Sequence, residues 1–271
     1  MSNKFIMEKA LEEIENGNEL AIATITSYSG STPRKIGTKM LVLEDGNIYG
    51  TIGGGAMENR IIEICLEAIE KGQSQSISFP LNTKGVDMIC GGEVEVFIEV
   101  YKNRPKLLIA GGGHVGYAIY EVASLLDFDI IIFEDREGLL NDDRFPKAKE
   151  LVLGDISENL GNYPIDENTY IVIVTRGHQY DEGCLEAVID SDAKYIGAMG
   201  SKKKVRTMFK NLMDKGISEE KLEKVYSPIG LKISGESPEE IAISILAEIL
   251  LIKNQGELIH MMNTLDRDKF S

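Results

Sequence analysis

The stretch KLLIAGGGHVG, from Lys106 to Gly116, constrains this chain most. A short apolar run leads into Gly111, Gly113 and Gly116, which hold G-x-G-x-x-G spacing. A strand that ends on glycines and feeds a helix leaves the helix's first N–H groups pointing at whatever anion lies over the turn. The following segment, Tyr117 to Leu126, carries Ile119, Val122, Ala123 and Leu126 at helical spacing, and Ile130 to Phe133 is a second apolar strand. The outline is a βαβ unit. Its second strand ends on Glu134 and Asp135, about 20 residues past the glycines, where an acid hydrogen-bonds the ribose of a bound nucleotide. The alternative is a tight turn whose glycines serve only the packing of helix against sheet.

At 271 residues the chain suits two domains better than one. Its hydrophobic share of 43% and charged share of 27% are those of an ordinary soluble protein, and no apolar run nears the ~20 residues of a membrane span. Lys4, Glu8, Glu12 and Glu13 punctuate the first segment, which reads as an amphipathic helix and not as a signal peptide, so a cytoplasmic location is expected. Cys65, Cys90 and Cys184 are odd in number and lack C-x-x-C spacing, which argues for reduced thiols and against a disulfide framework or a thiolate zinc site. A formal net charge of −15 opposes nucleic acid and anionic membranes as partners.

The alternating strand Glu93 to Val100 gives way at Tyr101 to Pro105 to a short polar stretch, which places a boundary between a domain of residues 1–102 and one of 103–271. In the first, Lys4 to Ile14 reads as a helix, Leu20 to Ile25 and Lys39 to Leu43 as strands, and Asp45-Gly46 as a hairpin turn into Ile48 to Ile52. A long helix follows the glycines at 53–55. The second alternates strand and helix over 106–110, 117–126, 129–133, 151–153, 170–174, 182–189, 194–197 and 201–214. Ser237-Pro238-Glu239-Glu240 is a capped start for a last helix with Ile241, Ile245, Ile249 and Ile252 as its buried stripe. The fold class is α/β: a small mixed N-terminal domain, then a Rossmann-like domain with a parallel sheet and helices on both faces.

Several motifs have residue types suited to an anionic ligand. Gly53-Gly54-Gly55 lets backbone approach a ligand at a helix start, and Glu58, one turn on, either accepts hydrogen bonds from a ligand ring or stabilises the helix's positive end. Cys65 lies on that helix's apolar stripe and reads as core. Ser31, Thr32 and Arg34 put hydroxyls and a guanidinium fork in one loop, suited to a phosphate or a planar polar ring, with a plain solvated loop as the alternative. Cys90, before two glycines, is a candidate exposed thiolate with no activating His or Lys nearby in sequence. In the second domain His114 lies within the glycine loop, and Arg176 and His178 at a strand's carboxyl end, with Asp181 close behind. Gly200 and Ser201 precede Lys202, Lys203 and Lys204, cations unfavourable at a helix start unless an anion offsets them.

In this order the motifs resemble the xanthine dehydrogenase accessory family, XdhC/CoxI-like, over nearly the whole chain. The resemblance rests on residues 30–34, Gly53 to Gly55 with Glu58, Cys90-Gly91-Gly92, Gly111 to Gly116 with His114, and Asp135-Arg136. It rests further on Arg144-Phe145-Pro146, Arg176-Gly177-His178 with Asp181, Gly200-Ser201, Pro228 to Leu231 and the Ser237 to Ala242 helix start. Glu134 departs from the pattern, where a second Asp is expected, which changes reach and keeps charge. The resemblance implies a protein that binds the molybdenum cofactor (molybdopterin), protects it while its sulfido ligand is installed and delivers it to a molybdenum hydroxylase. It also implies a cysteine desulfurase partner and association as a homodimer. On that reading the chain is a cofactor-insertion accessory protein more than a catalyst, and no catalytic residue or metal ligand is assigned. Cofactor-binding candidates are Ser31, Thr32, Arg34, Gly53, Gly54, Gly55, Glu58, Cys90, Gly111, Gly113, His114, Gly116, Asp135, Arg136, Arg176, His178, Gly200 and Ser201. The competing reading is an NAD(P)-dependent oxidoreductase that binds a nucleotide or dinucleotide at the Gly111 turn, with His178 as acid or base.

Overall fold

The computed structural model describes residues 2–30, 35–80, 92–176, 178–233 and 235–264. The chain divides into two compact units, Met1–Asn103 and Arg104–Ser271.

The first unit runs α1 (Asn3–Glu15), β1 (Leu20–Gly30), β2 (Lys39–Leu43), β3 (Ile48–Gly50), α2 (Gly55–Lys71), β4 (Gln75–Pro80) and β5 (Gly92–Tyr101). Its antiparallel sheet has the order β3-β2-β1-β5-β4. Side chains alternate across each strand. Ala21, Ala23, Met40 and Val42 therefore meet Met57, Ile61, Cys65 and Ala68 of α2, while Leu20, Ile22, Leu41 and Leu43 on the other face meet Ile6 and Ala10 of α1. The edge strand β4 has little sequence signal, because only Ile77 and Phe79 alternate with its serines and both are only partly buried.

The second unit runs β6 (Lys106–Ala110), α3 (His114–Ala123), β7 (Asp129–Glu134), β8 (Glu150–Leu153), α4 (Ile156–Gly161), β9 (Thr169–Ile173), α5 (His178–Val188), β10 (Tyr195–Ala198), α6 (Lys202–Asp214), α7 (Glu219–Leu222) and α8 (Pro238–Lys253). The sheet is wholly parallel, in the order β10-β9-β6-β7-β8. Such a sheet is buried on both faces, which explains the unbroken apolar runs of its strands. Leu107 and Ile109 face α3 and α8; Leu108 and Ala110 face α4, α5, α6 and α7. Because β6 is flanked by β7 on one side and β9 on the other, the chain reverses direction across the sheet between β6 and β9. Ligands bind at such a switch point, outside the strands' carboxyl ends.

Helix α8 begins as the sequence indicates: Ser237 accepts from the Glu240 N–H, Glu240 reaches back to the Ser237 N–H, and Pro238 opens the first turn. Its buried stripe is Ala242, Ile245, Leu246 and Ile249, with Ile241 and Ile252 only partly covered at its margins. The helix is rotated from the expected all-isoleucine line because it packs against α3 as well as the sheet. No helix among the described residues is long and apolar enough to cross a membrane.

Candidate functional site

At the carboxyl end of β6 the three glycines serve different purposes. Gly111 has φ +113°, and a Cβ there would lie 2.7 Å from the Val174 carbonyl oxygen at the end of β9. A Cβ on Gly116 would lie 1.8 Å from the Gly111 carbonyl oxygen, so only glycine lets α3 close on the turn. Packing alone demands these two. Gly113 differs: its φ is −68°, and a Cβ would meet only Arg136 Nη2, at 3.9 Å. Packing therefore leaves the middle glycine unexplained, and its open face lies under a guanidinium.

That guanidinium is held from below. Glu134, the last residue of β7, is 1% exposed, yet it takes five hydrogen bonds. Oε2 accepts from the Gly112 N–H at 2.9 Å and Arg136 Nη2 at 2.8 Å; Oε1 accepts from Arg136 Nε at 2.7 Å and from the Asp135 and Arg136 N–H groups at 3.1 and 3.2 Å. Burial pushes the carboxyl's pKa up. The bonds from Arg136 and Asp135, the charge of Arg136 and the Gly112 N–H outweigh burial and carry it down to about 2. Of the two acids at the ribose position, Glu134 is thus committed to the protein's own loop.

Asp135 continues the network outward, lying 3.1 Å from Arg176 Nη2 and 3.7 Å from Arg136 Nε. Arg176, 54% exposed, lies over the Tyr180 ring. Arg144 comes from the segment after β7: its guanidinium lies over the Tyr117 and Phe145 rings, with Nη2 3.5 Å from the Gly113 carbonyl oxygen. His114, the first residue of α3, is exposed beside the turn. Gly113, His114, Asp135, Arg136 and Arg176 thus share one edge of the sheet, and Arg144 joins them. Arg144 is an addition to the site candidates; its only trace in the sequence is its place in Arg144-Phe145-Pro146.

Gly200 and Ser201 lie at the end of β10, where Ser201 caps α6 by accepting from the Lys204 N–H at 3.3 Å. The anion that offsets Lys204 is internal: buried Asp181 accepts from Lys204 Nζ at 3.2 Å and from the Thr175 hydroxyl at 2.5 Å. A groove of about 500 Å³ between α5 and α6 is lined by Ser201, Lys203 and Lys204 among others, and of the candidate residues it includes Ser201 alone. At the Gly113 corner, by contrast, the open glycine and the arginine network converge. His178 opens α5. Its side chain, and Gly177, lie outside the described residues.

In the first unit Gly53, Gly54 and Gly55 have φ of +155°, +79° and +68°, and nothing lies within 4 Å of a Cβ on the last two. Glu58 answers this corner with its own carboxylate. Oε2 accepts from the Ile52 and Gly54 N–H groups at 3.1 and 3.2 Å and from the Thr51 hydroxyl. Of the two roles open to Glu58, the structure shows stabilisation of the helix start, and those amides are already engaged. Cys65 and Cys184 are buried, and burial pushes both thiols up to about 12. Among the described residues no group of three or more His, Cys, Asp or Glu is placed to hold a metal ion. Ser31, Thr32, Arg34 and Cys90 lie outside the described residues.

The family model described as the XdhC Rossmann domain matches residues 107–249, and that of the XdhC and CoxI family matches residues 13–80. The chain is 36% identical, over 93% of its length and 47% of the relative's, to the uncharacterized protein YqeB of Escherichia coli. It is 27% identical to a probable xanthine dehydrogenase subunit of Bacillus subtilis, over 60% of this chain and 48% of that one. It is 20% identical to the molybdenum cofactor insertion chaperone PaoD of Escherichia coli, over 94% and 90%. The chain spans about half the length of the first two relatives. A crystal structure described as a xanthine dehydrogenase from Bacillus halodurans has the same fold, with a TM-score of 0.52 at 20% identity over 93% of this chain and 96% of that one. With its Rossmann unit matched across residues 107–249 and its first unit across 13–80, the chain belongs to the XdhC and CoxI family.

Proposed function

We propose that the chain is a molybdenum cofactor accessory protein. It binds the cofactor, protects it during sulfuration and hands it to a xanthine dehydrogenase-type molybdenum hydroxylase, with a cysteine desulfurase as second partner and a homodimer as working form. Family membership and the similarity to an insertion chaperone support an accessory role. The observation that carries the reading is Gly113: an open glycine at a helix start, between Arg136 and Arg144, in a chain of net charge −15.

These residues fit the phosphate end of the cofactor. Arg136 and Arg144 supply charge-assisted donors, and the Gly113 turn supplies close backbone approach. When bound, the cofactor brings its molybdenum centre and pterin; the chain's own residues bind and orient it. Ser31, Thr32, Arg34 and Cys90 remain candidates for contacts from the first unit. The oxidoreductase alternative drew on acids at 134 and 135, and both are engaged with arginines in the structure.

Mass analysis of small molecules that copurify with the protein from a molybdenum-fed host tests this reading. Molybdopterin or its oxidation products are expected. A pyridine dinucleotide with no pterin would contradict it.

A further inference from the structure

In dinucleotide-binding sheets of this order, the acid at the end of the second strand accepts hydrogen bonds from a ribose hydroxyl, or an arginine nearby takes a phosphate instead. Here the acid is present and consumed. Five donors already approach the two oxygens of Glu134, a carboxylate offers about four lone-pair positions, and the side chain is 1% exposed. No hydroxyl can reach it without displacing Arg136 or the Gly112 amide, and displacement would leave a buried carboxylate short of donors. What the end of β7 presents to a ligand is the guanidinium of Arg136, 34% exposed and 3.9 Å from where a Gly113 Cβ would stand, beside the second acid, Asp135, whose carboxylate is engaged by Arg176 at 3.1 Å.

We propose that this corner selects ligands carrying a phosphate monoester and rejects those that offer an unmodified ribose diol to the end of β7. The inference rests on the reading of the Gly113 turn as a phosphate site, and it names the ligand class that site takes. Arg136 is the specificity-determining residue: Glu134 fixes its fork from one side, so the guanidinium is pre-set in front of the turn. Arg144, steadied by Tyr117 and Phe145, is placed to add a second positive charge. The terminal phosphate of molybdopterin and the 2′-phosphate of NADPH both belong to the class; the ribose diol of NADH does not.

Calorimetric titration of the full chain with NADPH, NADH and molybdopterin, repeated on Arg136→Gln and Arg144→Gln, separates the cases. NADPH is expected to bind at least about tenfold more tightly than NADH, a ratio that Arg136→Gln brings towards one. If neither dinucleotide binds, a tenfold or greater loss of molybdopterin affinity in Arg136→Gln or Arg144→Gln supports the inference. NADH binding as tightly as NADPH overturns it, and so does molybdopterin binding that both substitutions leave unchanged. The wild-type ratio needs no variant to fold. No binding of any of the three overturns the phosphate site itself, and the inference with it.

Discussion

Arg136 grips Glu134 through two parallel bonds, Nε to Oε1 at 2.7 Å and Nη2 to Oε2 at 2.8 Å, while the Gly112 N–H approaches Oε2 from the glycine turn. One buried carboxylate thus ties the end of β7 to the turn after β6 and fixes the guanidinium that faces the open side of that turn.

The acid stability of the second unit should carry the mark of this pair. The Glu134 carboxyl falls from its ordinary 4.5 to about 2 in the folded chain, so its contribution is complete above pH 4.5 and is lost as pH falls from there towards 2. Within that window the unfolded chain binds the extra proton and stability rises with pH, by on the order of 3 kcal/mol in all. Urea unfolding of wild type and Glu134→Gln between pH 6 and 3 should show the two converging as pH falls. Parallel curves would show that Glu134 titrates normally.

The glycines should separate by role. Gly116→Ala puts a Cβ 1.8 Å from a backbone oxygen and should destabilise the second unit by about 3 kcal/mol or more, or prevent its folding. Gly113→Ala meets nothing closer than 3.9 Å and should cost under about 1 kcal/mol. Thermal melts compare them; equal losses would mean that Gly113 is a packing glycine too.

Much of the second unit was legible because its signals are local. The G-x-G-x-x-G spacing, the apolar strands and the Ser237 to Glu240 cap each lie within a few residues, and the structure contains all of them. The destination of Glu134 was not legible: its partner Gly112 is 22 residues away, and the acid fits a ribose and an internal arginine equally well. Arg144 reaches Gly113 across 31 residues for the same reason. The short helix α4 escaped because six residues with Ile156 and Leu160 buried show too little periodicity, although Asp155 caps it. In the first unit the glycines at 53–55 mark a helix start in sequence and in structure alike, but nothing in the order of residues says that Glu58 turns back onto the Ile52 and Gly54 amides.

The buried thiols should be inert. At pH 8 a thiol raised to about 12 is thiolate in about one molecule in ten thousand, and Cys65 and Cys184 are also closed to solvent. Brief alkylation of the native protein followed by peptide mass mapping should leave both unmodified. Rapid labelling of either would contradict their place in the cores.

The measurement that bears most directly on the phosphate site is anaerobic calorimetric titration of molybdopterin into wild type and Gly113→Asp, with a melt of each to confirm folding. The aspartate places a side chain and a negative charge beside Arg136, where the proposed site would hold the phosphate. Wild type should bind and the variant should lose binding while staying folded. Equal affinity of the two, or no binding by wild type, would contradict the assignment.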